Sequence, residues 1–227
     1  MATYLICHGA WSAGWAWKKI RPLLAAAGHE VFTPTYTGLG ERAHLAHPLV
    51  DLETHIQDIL AVIEAEGLRD ILLVGHSYGG MVATGVADRV PGLIRHLCYL
   101  DAFVPGDGQS LHDLVGGAPV AEPVAGWLIP PNPSAPDTAE ADLAWTLPRR
   151  RHQPARSFSQ ALRVAHAAPA FPRSYMHCTK KTGPDVFAQF AERFRDDPAW
   201  RFHAMDASHS PNITAPEALA TLLLGLA

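Results

Sequence analysis

Residues 71–81 read Ile-Leu-Leu-Val-Gly-His-Ser-Tyr-Gly-Gly-Met. An apolar run suited to a buried strand leads into Gly75-His76-Ser77-Tyr78-Gly79, and a helical pattern follows. This spacing suits a nucleophilic serine. A tight strand-to-helix turn lifts the hydroxyl clear of the backbone, and glycines two residues to either side tolerate the close contacts such a turn forces. The new helix also directs N–H groups toward any oxyanion formed there. Ser77 is therefore the expected nucleophile of an acyl-transfer reaction, and the backbone N–H of Tyr78, directly after it, is an expected oxyanion donor. The competing view, a glycine-rich turn with an incidental serine, does not account for the strand before it and the helix after it.

A serine held this way needs a scaffold, and the rest of the chain supplies its pattern. Near-continuous apolar runs predict strands at Tyr4–Cys7, Glu30–Thr33, Ile71–Val74, Ile94–Leu100, Ser174–Cys178 and Arg201–Met205. Runs of this kind belong to parallel strands covered on both faces. Helical spacing predicts helices over 52–66, 78–90, 184–195 and 215–224. Alternation of the two implies a mostly parallel, doubly wound α/β sheet with right-handed crossovers. The stretch 105–170 breaks the rhythm. It holds more than half of the chain's 19 prolines, among them Pro130, Pro131 and Pro133, together with Gly116-Gly117. Sheet strands do not survive that loss of N–H donors. The expectation is a core of 1–104 and 171–227, with 105–170 a proline-rich cap inserted after the strand that follows the nucleophile helix. The cap is expected to be mostly loop, with a helix over 156–168.

The serine turn, His8-Gly9-Ala10-Trp11 near the N-terminus and a late histidine together resemble the α/β-hydrolase superfamily. The likeness is greatest to the branch of plant methyl esterases, hydroxynitrile lyases and their bacterial esterase relatives. Thr37-Gly38-Leu39-Gly40-Glu41-Arg42 and Tyr99-Leu100-Asp101-Ala102-Phe103-Val104-Pro105 point to the bacterial side. The resemblance implies that the N–H of Ala10 is the second oxyanion donor. This fold orders its residues Ser, acid, His, with the histidine between the last strand and the last helix. Of thirteen histidines, His209 fits. His203 lies inside a strand, and His76 is expected to pack beside Ser77 without moving protons. His44 and His47 have metal-pair spacing but no acidic or cysteine partners, so no metal is expected.

The acid departs from the relatives. They carry it just after the strand placed here at 174–178, where this chain has Thr179-Lys180-Lys181-Thr182-Gly183 and no carboxylate. Asp185 follows, at a position where a helix cap would explain it. Asp101 ends the strand after the nucleophile helix. Certain haloalkane dehalogenases of the superfamily place their acid there, and a carboxylate at a strand end is costly to bury without a partner such as an imidazole N–H. Asp101 is the expected acid, with Asp185 the alternative.

The reaction expected is hydrolysis of a small ester, neutral and of methyl or aryl type, through an acyl-enzyme on Ser77 with no cofactor. The neutral substrate is inferred from the lack of any basic residue placed to hold a carboxylate; Arg149-Arg150-Arg151 reads as a solvated loop. Trp11, Tyr78, Phe103, Trp127 and Phe158 are the expected pocket aromatics, with plain core packing the alternative for each. A hydroxynitrile lyase of the resembling branch would carry a threonine at Gly9 and a lysine at Ser210. A cofactor-free oxygenase or a small-molecule receptor remains the alternative on this fold. The formal charge of −4 offers no electrostatic reason to bind nucleic acid or anionic lipid. Cys7, Cys98 and Cys178 match no zinc spacing or disulfide framework. No apolar run approaches the ~20 residues of a bilayer span, and the first residues lack a signal-peptide pattern, so a cytoplasmic setting is expected.

Overall fold

A computed structural model describes residues 1–116, 121–132, 138–165 and 171–227. Its strands are β1 (Thr3–Cys7), β2 (Glu30–Phe32), β3 (Ile71–His76), β4 (Ile94–Leu100), β5 (Leu128–Ile129), β6 (Gln153–Pro154), β7 (Arg173–Cys178) and β8 (Trp200–Met205). Six of them form one parallel sheet in the order β2-β1-β3-β4-β7-β8. These are the six strands expected from the apolar runs. β5 and β6 pair antiparallel in the proline-rich excursion.

The helices are α1 (Ile20–Ala26), α2 (Leu52–Ala65), α3 (Gly79–Arg89), α4 (Leu111–Leu114), α5 (Glu140–Thr146), α6 (Arg156–Ser159), α7 (Ala188–Phe194), α8 (Pro211–Thr214) and α9 (Pro216–Leu224). No helix among the described residues is long and apolar enough to cross a membrane.

All six residues of β3 are buried, which is why its sequence shows no polar alternation. Its side chains still alternate between two cores. Ile71 and Leu73 join the cluster under α2, α3 and α7. Leu72 and Val74 join the cluster under α1 and α9, with Trp17 and Leu219. Burying each aliphatic side chain contributes about 1.5–3 kcal/mol. α2 starts where Asp51 accepts a hydrogen bond from Thr54 N at 3.0 Å, and it turns Leu52, Ile56, Ile59 and Ile63 inward.

Two expectations are corrected, and one element is new. The helix expected over 184–195 begins at Ala188, because Asp185 takes the N–H of Phe187 at 2.9 Å and holds 184–187 as a turn. The helix expected over 156–168 ends at Ser159. Past it, Leu162 exchanges backbone hydrogen bonds with Gly108 and Gln109, which replace helical ones; residues 166–168 lie outside the described residues, as do Gly117 and Pro133. α1 was not foreseen: Pro22 obscures it in sequence, yet a proline in a helix's first turn removes no intrahelical bond.

Candidate active site

Ser77 follows the last residue of β3 with φ of 56°, a left-handed conformation that costs a non-glycine residue roughly 1–3 kcal/mol. The surroundings over-determine it. Ser77 N donates to Leu100 O (3.3 Å), and Ser77 O accepts from Gly80 N (3.0 Å) and Phe103 N (3.2 Å). The turn is thereby tied to the end of β4. Gly79 and Gly80 allow the approach: a Cβ on Gly79 would lie 2.0 Å from Cys7 O, and one on Gly80 2.1 Å from Phe103 O.

Facing this turn is the loop after β1. His8 Nδ1–H donates to Gly9 O (2.8 Å) and its Nε2 accepts from Tyr36 N (3.2 Å), a pairing that fits a neutral ring. Burial lowers the His8 pKa to about 4. Trp11 has φ of 57° and is clamped to the excursion. Its N donates to Gln153 Oε1 (3.0 Å) and its Nε1 to Ile129 O (3.1 Å), while its carbonyl accepts from Arg151 N (3.1 Å). Gln153 is fully buried. Sequence reading missed it, since an isolated glutamine between a histidine and a proline carries no signal. Between these fixed points lie the backbone N–H groups of Ala10 and Tyr78, for which the described residues provide no backbone acceptor.

Asp101, directly after β4, is fully buried with φ of 43°. Its Oδ2 accepts from His209 Nδ1 at 2.6 Å. Its Oδ1 accepts from Lys181 Nζ at 2.8 Å and from Cys178 N at 3.2 Å. Burial by itself pushes this carboxyl's pKa up, but the hydrogen bond and charge of His209, and then Lys181, outweigh it, and the net shift is downward. His209 sits on the loop between β8 and α8. Phe187 stacks on its ring (centroids 4.9 Å apart, planes 11° apart), and His76 Nε2–H donates to its backbone carbonyl at 2.7 Å. Burial foremost, then the neighbouring His209, lowers the His76 pKa to about 3, so His76 serves as a neutral donor.

Asp185 accepts from His177 Nε2 at 2.8 Å and from Phe187 N, and it shares Lys181 with Asp101. The structure thus brings Asp101, and not Asp185, to His209.

Ser77, His209 and Ala10 share the wall of a cavity of about 180 Å³. Trp11 is also on that wall. Phe103, Trp127 and Phe158 are not among its lining residues. Phe158 is buried edge-on against Trp11 and packs on Tyr78, and Phe103 packs on Phe187 and Phe190. These two aromatics support the wall from behind. Arg150, read from sequence as part of a solvated run, stands on the wall instead. The turn Leu147–Arg149 leaves Arg149 and Arg151 exposed and brings Arg150 inward.

A parallel sheet of this order, a left-handed serine between β3 and α3, and an Asp–His pair at the ends of β4 and β8 define an α/β hydrolase. The chain belongs to the alpha/beta hydrolase family, whose pattern matches residues 4–222. It is 39% identical over 241 aligned residues to a carbendazim hydrolyzing esterase of Nocardioides sp. (strain SG-4G), with 100% of each chain covered. It is 32% identical over 106 residues to methylesterase 9 of Arabidopsis thaliana, covering 46% of this chain and 41% of the relative. An extracellular α/β-hydrolase from a Paenibacillus species has the same fold, with a TM-score of 0.85 at 24% identity over 100% of this chain and 99% of that one. These relatives fall in the branch that the serine turn and the His8-Gly9-Ala10-Trp11 segment resemble.

Proposed function

We propose that the protein is a serine esterase that hydrolyses small carboxylic esters through an acyl-enzyme on Ser77. The observation that carries this reading is the 2.6 Å bond from His209 to the buried Asp101, on the same cavity as a serine held at φ of 56°. Asp101 fixes the imidazole with Nδ1 protonated, so Nε2 is free to take the Ser77 proton. Ser77 Oγ then attacks the ester carbonyl, and the oxyanion is held by the N–H groups of Tyr78 and Ala10. Collapse expels the alcohol, which takes its proton from His209. Water, deprotonated by His209, cleaves the acyl-enzyme and regenerates Ser77. The full-length likeness to a carbendazim hydrolyzing esterase supports the same class of reaction. In this reading 105–170 is a cap, since its pair β5–β6 clamps the Trp11 loop over the site. The test is hydrolysis of p-nitrophenyl acetate by wild type and Ser77→Ala. Turnover that collapses by orders of magnitude in the variant is expected; equal rates in the two overturn the reading.

A further inference from the structure

The cavity beside Ser77 has a one-sided electrostatic lining. None of the fifteen described residues that line it is a carboxylate, and Arg150 is the one permanent charge among them. Among the described residues the guanidinium makes one hydrogen bond, to Asn132 O at 2.8 Å, and no carboxylate pairs with it. Its neighbours differ. Arg149 and Arg151 are exposed and fold back onto carbonyls of their own turn. Arg150 is half-buried, and lost hydration lowers its pKa. A guanidinium has five donors in a planar fork that matches a carboxylate. A half-buried guanidinium with one carbonyl as its described partner leaves most of that capacity open. On the same wall, the buried indole N–H of Trp15 has no acceptor among the described residues.

We propose that Arg150 is an anion-binding subsite, and that the favoured esters are monoesters of short dicarboxylic acids, the free carboxylate on Arg150 and the ester carbonyl at Ser77. The proposal rests on the esterase reading for its second half and on the cavity alone for its first. It also replaces the ground on which a neutral substrate was expected, since a basic side chain does reach the site.

The test separates the two halves. Ser77→Ala protein, which binds without turning over, is titrated with the monomethyl esters of succinate, glutarate and adipate and with the dimethyl ester of each, followed by tryptophan fluorescence at low and high salt. At the best-fitting length the monoanion is expected to bind at least ~10-fold tighter than its diester, with the preference weakened by salt. In Ser77→Ala/Arg150→Gln the preference disappears. In Ser77→Ala/Arg150→Lys, which keeps the charge without the fork, part of it returns, and this variant decides the matter if the glutamine protein does not fold. Equal binding at all three lengths, or a preference that survives Arg150→Gln, overturns the subsite. Wild-type turnover of the same esters then tests the other half: bound monoesters that are never hydrolysed overturn the esterase reading and leave the subsite standing.

Discussion

Lys181 Nζ stands 2.8 Å from Asp101 Oδ1, the carboxylate oxygen that His209 does not use. The same ammonium bonds Asp185, so it sits between two carboxylates and draws on both. Opposing charge on Asp101 reduces what that carboxylate offers an imidazolium. Lys181→Met is therefore expected to move the acid limb of the kcat/KM profile to higher pH by up to ~1 unit, and Lys181→Arg to restore it. A plain loss of rate with superimposable profiles would make Lys181 a structural residue alone.

The two aspartates share Lys181, but only Asp101 bonds His209, so their variants must diverge. Asp101→Asn keeps the shape of the group but favours the wrong tautomer of His209, and kcat is expected to fall by about 10⁴. Asp185→Asn keeps an oxygen for Phe187 N but loses the charge that Lys181 and His177 bond, and kcat is expected within roughly tenfold of wild type, with a lower melting temperature. A crippled Asp185→Asn beside an active Asp101→Asn reverses the assignment.

Much of this arrangement is legible in the sequence because it is carried by patterns. The six strands stand out as apolar runs because both faces of a parallel sheet are covered, and Ser77 and His209 are marked by what precedes and follows them. Asp101 could be selected because a carboxylate at a buried strand end needs a partner. What was not legible depends on long-range contacts. Three consecutive arginines look alike, and only packing of 147–151 against Asn132 turns Arg150 inward. Gln153 reaches the Trp11 loop across 142 residues. Phe103 and Phe158 satisfy any sequence criterion for a pocket aromatic, yet both support the wall from the core.

The glycines after Ser77 set a sharp steric limit. A methyl group at Gly79 or Gly80 would press on a backbone carbonyl of β1 or of the loop after β4; the first is held by the sheet and the second by the bond from Phe103 N to Ser77 O. Gly79→Ala and Gly80→Ala are each expected to cost at least ~3 kcal/mol, the upper range for an overpacked core. Gly92→Ala, whose Cβ meets nothing within 4 Å, is expected to stay near wild type. Chemical denaturation of the three proteins reads this directly.

Acid should weaken the fold well above the range where its carboxylates titrate. His8, His55, His76 and His96 are buried neutral, with pKa values lowered chiefly by burial from near 6.5 to about 4, about 4, about 3 and about 4. In the unfolded chain each takes up a proton below pH 6.5, while the folded protein does not until near pH 4 or below. The unfolded state therefore binds more protons across that interval, and stability falls as pH falls through it. The stabilisation is fully present above pH 6.5, and roughly 1–2 kcal/mol per histidine is lost between pH 7 and 5. Asp101, lowered from an ordinary value of 3.8, adds its own loss only at more acidic pH. The melting temperature is expected to be flat from pH 8 to 7 and to drop by roughly 10 °C between pH 7 and 5. His76→Gln, which keeps a donor for the His209 carbonyl and removes the titration, should reduce that drop by about a quarter. A drop that begins only below pH 4.5, or one unchanged in His76→Gln, would mean that the buried rings do not control acid stability.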